Sequence, residues 1–231
     1  MVVLAGDTAE GTRGVAWARE RFPNTPVVYV PGNHEYYGHV FPDLIHELRR
    51  AAAGSTVHVL GHDAVTIDGV EFLGCTLWTD QNLWEQPDFC AKLLERTLND
   101  YHRIHSGASG KRLRAAETRE AHFRARRWLE EVCRSRPSGQ RVIVTHHAPS
   151  PQSIPLEEWR AAKDLRHPSR AGLNLLIRSG YASRLDDLVD RSGADLWVHG
   201  HIHVSSDYVI NKTRIVSSPN NCQNAKSGLL I

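Results

Sequence analysis

No stretch of this 231-residue chain approaches the roughly 20 consecutive apolar residues that a bilayer-spanning helix needs. The N-terminus also lacks the charged region and apolar core of a secretory leader. These two absences point to a cytoplasmic protein with no membrane partner. An excess of one charge is missing as well: the formal net charge is +2 and the pI about 8.4, so nothing demands a nucleic-acid or membrane-surface partner. Cysteine is scarce, and Cys75, Cys90, Cys133 and Cys222 form no CxxC pair, which argues against a zinc knuckle or a disulfide framework. They are expected to be reduced, two or more of them buried. Internal repeats, linkers and low-complexity segments are lacking too. With 41% hydrophobic and 23% charged residues, residues 1–231 read as one globular domain.

Histidine is abundant, with 14 residues, several of them clustered beside Gly, Asn or Pro. Their positions follow the predicted elements. Residues 1–7 form an apolar run of strand length that ends in Gly6-Asp7. A helix over 14–22 follows, then a β-branched strand over 26–30 that stops at Pro31-Gly32-Asn33-His34. Phe41, Leu44, Ile45 and Leu48 make one apolar face of a helix over 40–53. Short strands are expected over 57–60, 64–67 and 70–75, the last two joined through Asp68-Gly69, a tight-turn dipeptide. Residues 82–112 are charged and aromatic without a clean period and read as a cap-like insertion. An Arg- and Glu-rich helix over 113–136 precedes a strand over 141–145 that ends at His146-His147-Ala148-Pro149. Residues 148–172 read as a long functional loop, and residues 181–191 as a helix. A last buried strand over 195–198 stops at His199-Gly200-His201-Ile202-His203, and β-like runs follow over 206–210 and 214–216. One layered α/β domain accommodates this order.

Four predicted strands thus end in loops that bear metal-capable side chains: Asp7, Asn33 with His34, His146 with His147, and His201 with His203. Ligands of open α/β sheets gather at strand C-termini, so these loops are expected to converge. Imidazole nitrogens, a carboxylate able to bridge two cations and an amide oxygen make a mixed N/O site suited to manganese, iron, zinc or nickel. Two such cations would hold a phosphate ester and acidify a water for in-line attack.

Gly6-Asp7, Gly32-Asn33-His34-Glu35, His146 within Thr145-His146-His147-Ala148-Pro149, and Gly200-His201-Ile202-His203 resemble, in order and spacing, the calcineurin-like metallophosphoesterases. The match covers nearly the whole chain. The resemblance implies a four-layer α/β/β/α sandwich and hydrolysis of a phosphate mono- or diester, on a small-molecule or nucleotide-like substrate. It further implies that Asp7 bridges two divalent metal ions, that Asn33, His146 and His201 complete one of them, and that His203 binds the other. His34 would protonate the leaving alkoxide.

The sequence departs from the family pattern in one respect. Members normally open with a strand ending Asp-x-His, and that segment precedes nothing here: Met1 stands directly before the strand to Gly6-Asp7. Two ions are the expectation from the resemblance; if the chain truly starts at Met1, the first strand is missing, the second metal is short of ligands and a single ion is the expected occupancy. A catalytically weak or silent metal-binding protein of the same fold is the alternative. Thr8-Ala9-Glu10 stands where another Asp is usual, and residues 218–231 do not resemble a closing strand.

The other histidines have plainer readings. His147 is expected to pack or to touch substrate rather than bind metal, and His199 to be structural. Glu117, Glu120, Glu130 and Glu131 interrupt the arginines of 112–127 at helical spacings, which marks a solvated helix rather than a phosphate patch. Tyr36, Tyr37, Trp78, Trp84 and Tyr101 stand near loops, open to core packing or to stacking on a substrate ring.

Overall fold

A computed structural model describes residues 1–107, 110–157 and 170–219, with the backbone of 229–230. The remainder of the predicted loop, together with His167, Cys222 and residues 220–224 of the tail, lies outside the described residues.

The chain runs β1 (Val2–Ala5), α1 (Arg13–Arg21), β2 (Val27–Val30), β3 (Val40–Phe41), α2 (Leu44–Ala52), β4 (Val57–Val59), β5 (Asp63–Ile67) and β6 (Val70–Cys75). It continues through α3 (Pro87–Thr97), α4 (Asp100–Arg103), β7 (His105–Ser106), β8 (Lys111–Arg112), α5 (Ala115–Val132) and β9 (Arg141–Thr145). The last elements are α6 (Arg170–Ile177), α7 (Asp186–Arg191), β10 (Leu196–His199), β11 (Ser206–Ile210), β12 (Thr213–Ser217) and β13 (Leu229–Leu230).

Side-chain alternation along the strands builds the layers. β13, β1, β2 and β4 form one sheet, and β11, β12, β10, β9, β6 and β5 a second. Val3, Val28 and Val30 of the first sheet pack against Phe72, Val142, Val144 and Val198 of the second, so these residues fill the space between them. Their neighbours in sequence point the other way. Val2, Leu4, Val27, Tyr29, Val57 and Val59 meet Val15 and Ala18 of α1 and Leu44, Leu48 and Ala52 of α2. Leu73, Cys75, Ile143, Trp197 and Ile215 meet Ala125 and Leu129 of α5 and Leu188 and Val189 of α7. Period-two strands buried on both faces and covered by helices give the α/β/β/α order, each fully buried Val or Leu contributing about 1.5–3 kcal/mol.

Two expectations change in detail, at residues 40–41 and in the tail. Residues 40–41 leave the predicted helix and pair as β3 with β7, and α2 begins beyond Pro42, whose ring fixes its φ and removes an N–H. Residues 82–112 have their own packing logic: Cys90, Leu94, Tyr101 and Ile104 are buried, and the last three join the cluster under α1 and α2. Leu229 and Leu230 pair antiparallel with Val3 and Val2, so the apolar end of the tail does add a strand. The Asp68-Gly69 turn is as expected, with φ of 49° and 81°. The α5 surface is laced with Arg126–Glu130 and Arg124–Glu120 pairs, as a solvated helix should be.

Candidate metal centre

β1, β2, β9 and β10 lie side by side in their sheets with their C-terminal ends pointing the same way within each sheet. The four loops that follow them meet. His146 is fully buried at the meeting point and its ring orientation is fixed: Nδ1 lies 2.7 Å from the Ala5 carbonyl oxygen and must donate to it. The other nitrogen, Nε2, therefore faces the remaining groups. It lies 2.9 Å from Asn33 Oδ1, 3.1 Å from His201 Nδ1 and 3.3 Å from Asp7 Oδ1. Asp7, His146 and His201 each offer a ligand atom within 4.8 Å of the others.

The backbone is bent to achieve this. Asp7 and His201 adopt φ of 58° and 62°, left-handed values that cost a non-glycine residue on the order of 1–2 kcal/mol. Gly6 has φ of 87°, and a Cβ there would stand 2.3 Å from His146 Nδ1. At Gly32 a Cβ would come within 2.3 Å of Asp7 Oδ1 and 2.6 Å of His146 Cε1, so the carboxylate and the imidazole approach this turn only because the side chain is absent.

Electrostatics suits a cation. Burial alone would raise the Asp7 pKa, but the facing His146 imidazole and His34 hold it well below the usual carboxylate range, so the group is ionised. Burial and the neighbouring imidazoles of His147 and His146 hold His201 far below the histidine range, leaving it neutral with a free lone pair. Burial disfavours charge on His146 as well, yet Asp7 outweighs it and raises its affinity for a proton; a cation would take that proton's place. His201 Nε2 is buried with no hydrogen-bond partner among the described residues. An anionic oxygen, an amide oxygen and two imidazoles, one of them with an orphaned ring nitrogen, form a donor set that fits a divalent metal.

Two of the residues named from the sequence lie at the margin. The His34 side chain is 42% exposed, stacks on Tyr37 at 4.6 Å between ring centres, and brings Nε2 to 3.8 Å from Asp7 Oδ2. Its backbone N–H donates to Asp7 Oδ1 at 3.0 Å. His203 is exposed and falls outside the cluster of Asp7, His146 and His201. His147 is buried, with Nδ1 3.1 Å from the Thr76 carbonyl oxygen, and its ring lies 4.2 Å from that of His201, whose ring also stands 4.5 Å from Tyr181. His199 is buried 2.8 Å from the Ser153 hydroxyl, on the structural side as expected.

Two buried carboxylates hold the candidate ligands in place. Glu35 closes the Gly32-Asn33-His34-Glu35 motif. It accepts from the N–H groups of Asp7, Thr8 and Gly32 and from the Tyr29 hydroxyl, at 2.7 to 2.9 Å, and so ties the first loop to the second. Asp100 stands at the start of α4. It accepts from Asn33 Nδ2 at 2.6 Å and from the Tyr37 hydroxyl at 2.8 Å, which turns the Asn33 oxygen towards His146. Asp100 is not at a strand end, and its charged, aperiodic surroundings carry no positional signal. Asp100→Ala should weaken divalent-metal binding by about 10- to 100-fold, the usual cost of losing a group that orients a ligand, and calorimetric titration with manganese would measure it. An unchanged affinity would show that Asn33 is not oriented by this contact or is not a ligand.

Comparison with known proteins places this site in context. A relative from Acanthamoeba polyphaga mimivirus, uncharacterized protein L509, is 23% identical over 193 residues; the alignment covers 80% of this chain and 64% of the relative, so the chain spans less than two thirds of that protein. The crystal structure of phosphopantetheinyl hydrolase (PptH) from Mycobacterium tuberculosis superposes with a TM-score of 0.65 at 18% identity, covering 94% of this chain and 78% of that one, a likeness of fold. A family model described as calcineurin-like phosphoesterase matches residues 1–205, the span that carries all four strand-end loops. The chain belongs to the calcineurin-like phosphoesterase family.

Proposed function

We propose that the chain hydrolyses a phosphate ester, mono- or diester, of a small-molecule or nucleotide-like substrate, with a divalent ion held by Asp7, Asn33, His146 and His201. The observation that carries this reading is the convergence of three donor atoms on a fourth, His146 Nε2, supported by membership of a phosphoesterase family. A divalent ion there would supply Lewis acidity towards phosphoryl oxygens and lower the pKa of a water, and manganese, iron, zinc and nickel all suit these donors. The protein's own groups do the rest. Glu35 and Asp100 hold the ligand loops, and Asp7 presents its second oxygen towards His34. His34 stands at the open side, backed by Tyr37, where its Nε2 can give a proton to the departing alkoxide. Residues 82–112 belong to the same domain in this reading and contribute Asp100, which holds Asn33. A cytoplasmic location is part of it too, in keeping with the unpaired Cys75, Cys90 and Cys133. No helix among the described residues is long and apolar enough to cross a membrane.

The exposed position of His203 favours one ion per chain over two. It also supports a second reading, a chain that binds its ion yet turns over little. The test is hydrolysis of aryl phosphate monoester and diester by the manganese-loaded protein against a His34→Ala control. Loss of the proton donor should lower kcat by about 10²- to 10⁴-fold while the bound metal stays the same. Metal bound with no turnover above that control would favour the silent protein.

A further inference from the structure

At the opposite ends of β9 and β10 from the metal ligands lies a cavity of about 510 Å³ between the C-terminal end of α5, the C-terminal end of α7 and the turn joining β11 to β12. Its lining brings together Arg134, Arg136, Arg191 and Lys212, against the carboxylate of Asp190. None of these four cations has an ion-pair partner among the described residues. The whole chain has a formal net charge of only +2, so this one concavity concentrates more positive charge than the molecule as a whole.

Cations at helix C-termini often only complement the helix dipole. Here that task is already done by a fifth residue. Arg141, 1% exposed, donates to the carbonyl oxygens of Ser192 at 2.7 Å and Ser135 at 2.8 Å, just past the ends of the two helices, and its Nε donates to Glu71 at 2.6 Å. Its charge is spent inside the wall. The four exposed cations are left facing the cavity, and beyond the single carboxylate of Asp190 their mutual repulsion is relieved by solvent, salt or a bound anion. A volume of this size lies within the range of small-ligand sites and is too confined for a duplex nucleic acid.

We propose that this cavity binds a compact, multiply charged phosphate ligand, of the class of a tripolyphosphate or a nucleoside triphosphate tail. The site is separate from the metal centre: Arg141 opens the five-residue strand β9 and His146 follows its end, a span of about 16 Å at about 3.3 Å per residue. The inference does not depend on the metal centre being active.

The test is calorimetric titration of sodium tripolyphosphate into the metal-free full chain at low salt, so that no bound ion can recruit the anion to the ligand cluster. Saturable binding of one equivalent is expected, with the dissociation constant raised at least about tenfold in the Arg134→Ala/Arg136→Ala variant and by moderate salt. The Arg124→Ala/Arg127→Ala variant, on the solvated face of α5, should bind like the wild type. Both pairs are exposed, so folding is not at risk. Absence of saturable binding, equal loss in both double variants, or capture of phosphatidylserine vesicles without tripolyphosphate binding would each overturn the proposal.

Discussion

His146→Ala should reduce metal-dependent phosphoesterase activity to background, a loss of at least about 10³-fold in kcat/KM, and remove tight metal binding with it. The expectation comes from the centrality of this ring. Asn33, His201 and Asp7 all approach its Nε2 within 3.3 Å, whereas its Nδ1 is committed to the Ala5 carbonyl. Truncation would take one of four donors and leave a void at the point where the other three converge. Ala5 would lose its partner, so a modest loss of stability should accompany the loss of function. His146→Gln is a useful companion, because it keeps polar atoms and much of the volume but cannot present an imidazole lone pair. Activity within tenfold of wild type in either variant would mean that hydrolysis takes place elsewhere. The measurement is initial rates on an aryl phosphodiester at saturating manganese, with bound metal determined on the same preparations.

Glu35→Ala should be the most destabilising single change near the site, by about 3–5 kcal/mol, because removing one partner of a buried charged network leaves the others without acceptors. Three backbone N–H groups and the Tyr29 hydroxyl would be orphaned in a region with no solvent access at Glu35. For a domain of this size such a loss corresponds to a fall in Tm on the order of 10 °C. Burial, and then the nearby Asp7 charge, push the Glu35 carboxyl towards its neutral form. The four donors oppose that tendency, which is why they are needed. Thermal unfolding of metal-free protein isolates this effect from ligand stabilisation. A shift of only 1–2 °C would show that the Asp7 and Gly32 loops are held by other contacts.

The sheet skeleton was readable because strand length, β-branching and turn residues all agreed: β1, β2, β9 and β10 fall within a residue or two of where apolar runs stop at glycine or histidine, and β6 follows the Asp68-Gly69 turn. The convergence of Asp7, Asn33, His146 and His201 followed from that placement, since parallel strands deliver their C-terminal loops to one edge. What was not readable is tertiary. Val40 and Phe41 have helix-compatible neighbours, and only pairing with His105 and Ser106 makes them a strand. Asp100 acts on Asn33 across 67 residues of sequence, a contact that no local pattern encodes. The residues 82–112 look aperiodic as a whole because the buried Cys90, Leu94, Tyr101 and Ile104 are spread over an 11-residue helix, a four-residue helix and the turns between them, each with its own phase. The short strand β13 is likewise visible only once the free edge of β1 is seen.

The most direct test is the metal environment of the zinc- or manganese-loaded chain, read as ions per chain by elemental analysis together with the number of imidazole nitrogens around the ion by X-ray absorption. The account predicts about one ion with two imidazole nitrogens, and their loss in His146→Ala; an ion without nitrogen neighbours, or one that survives that substitution unchanged, would contradict it.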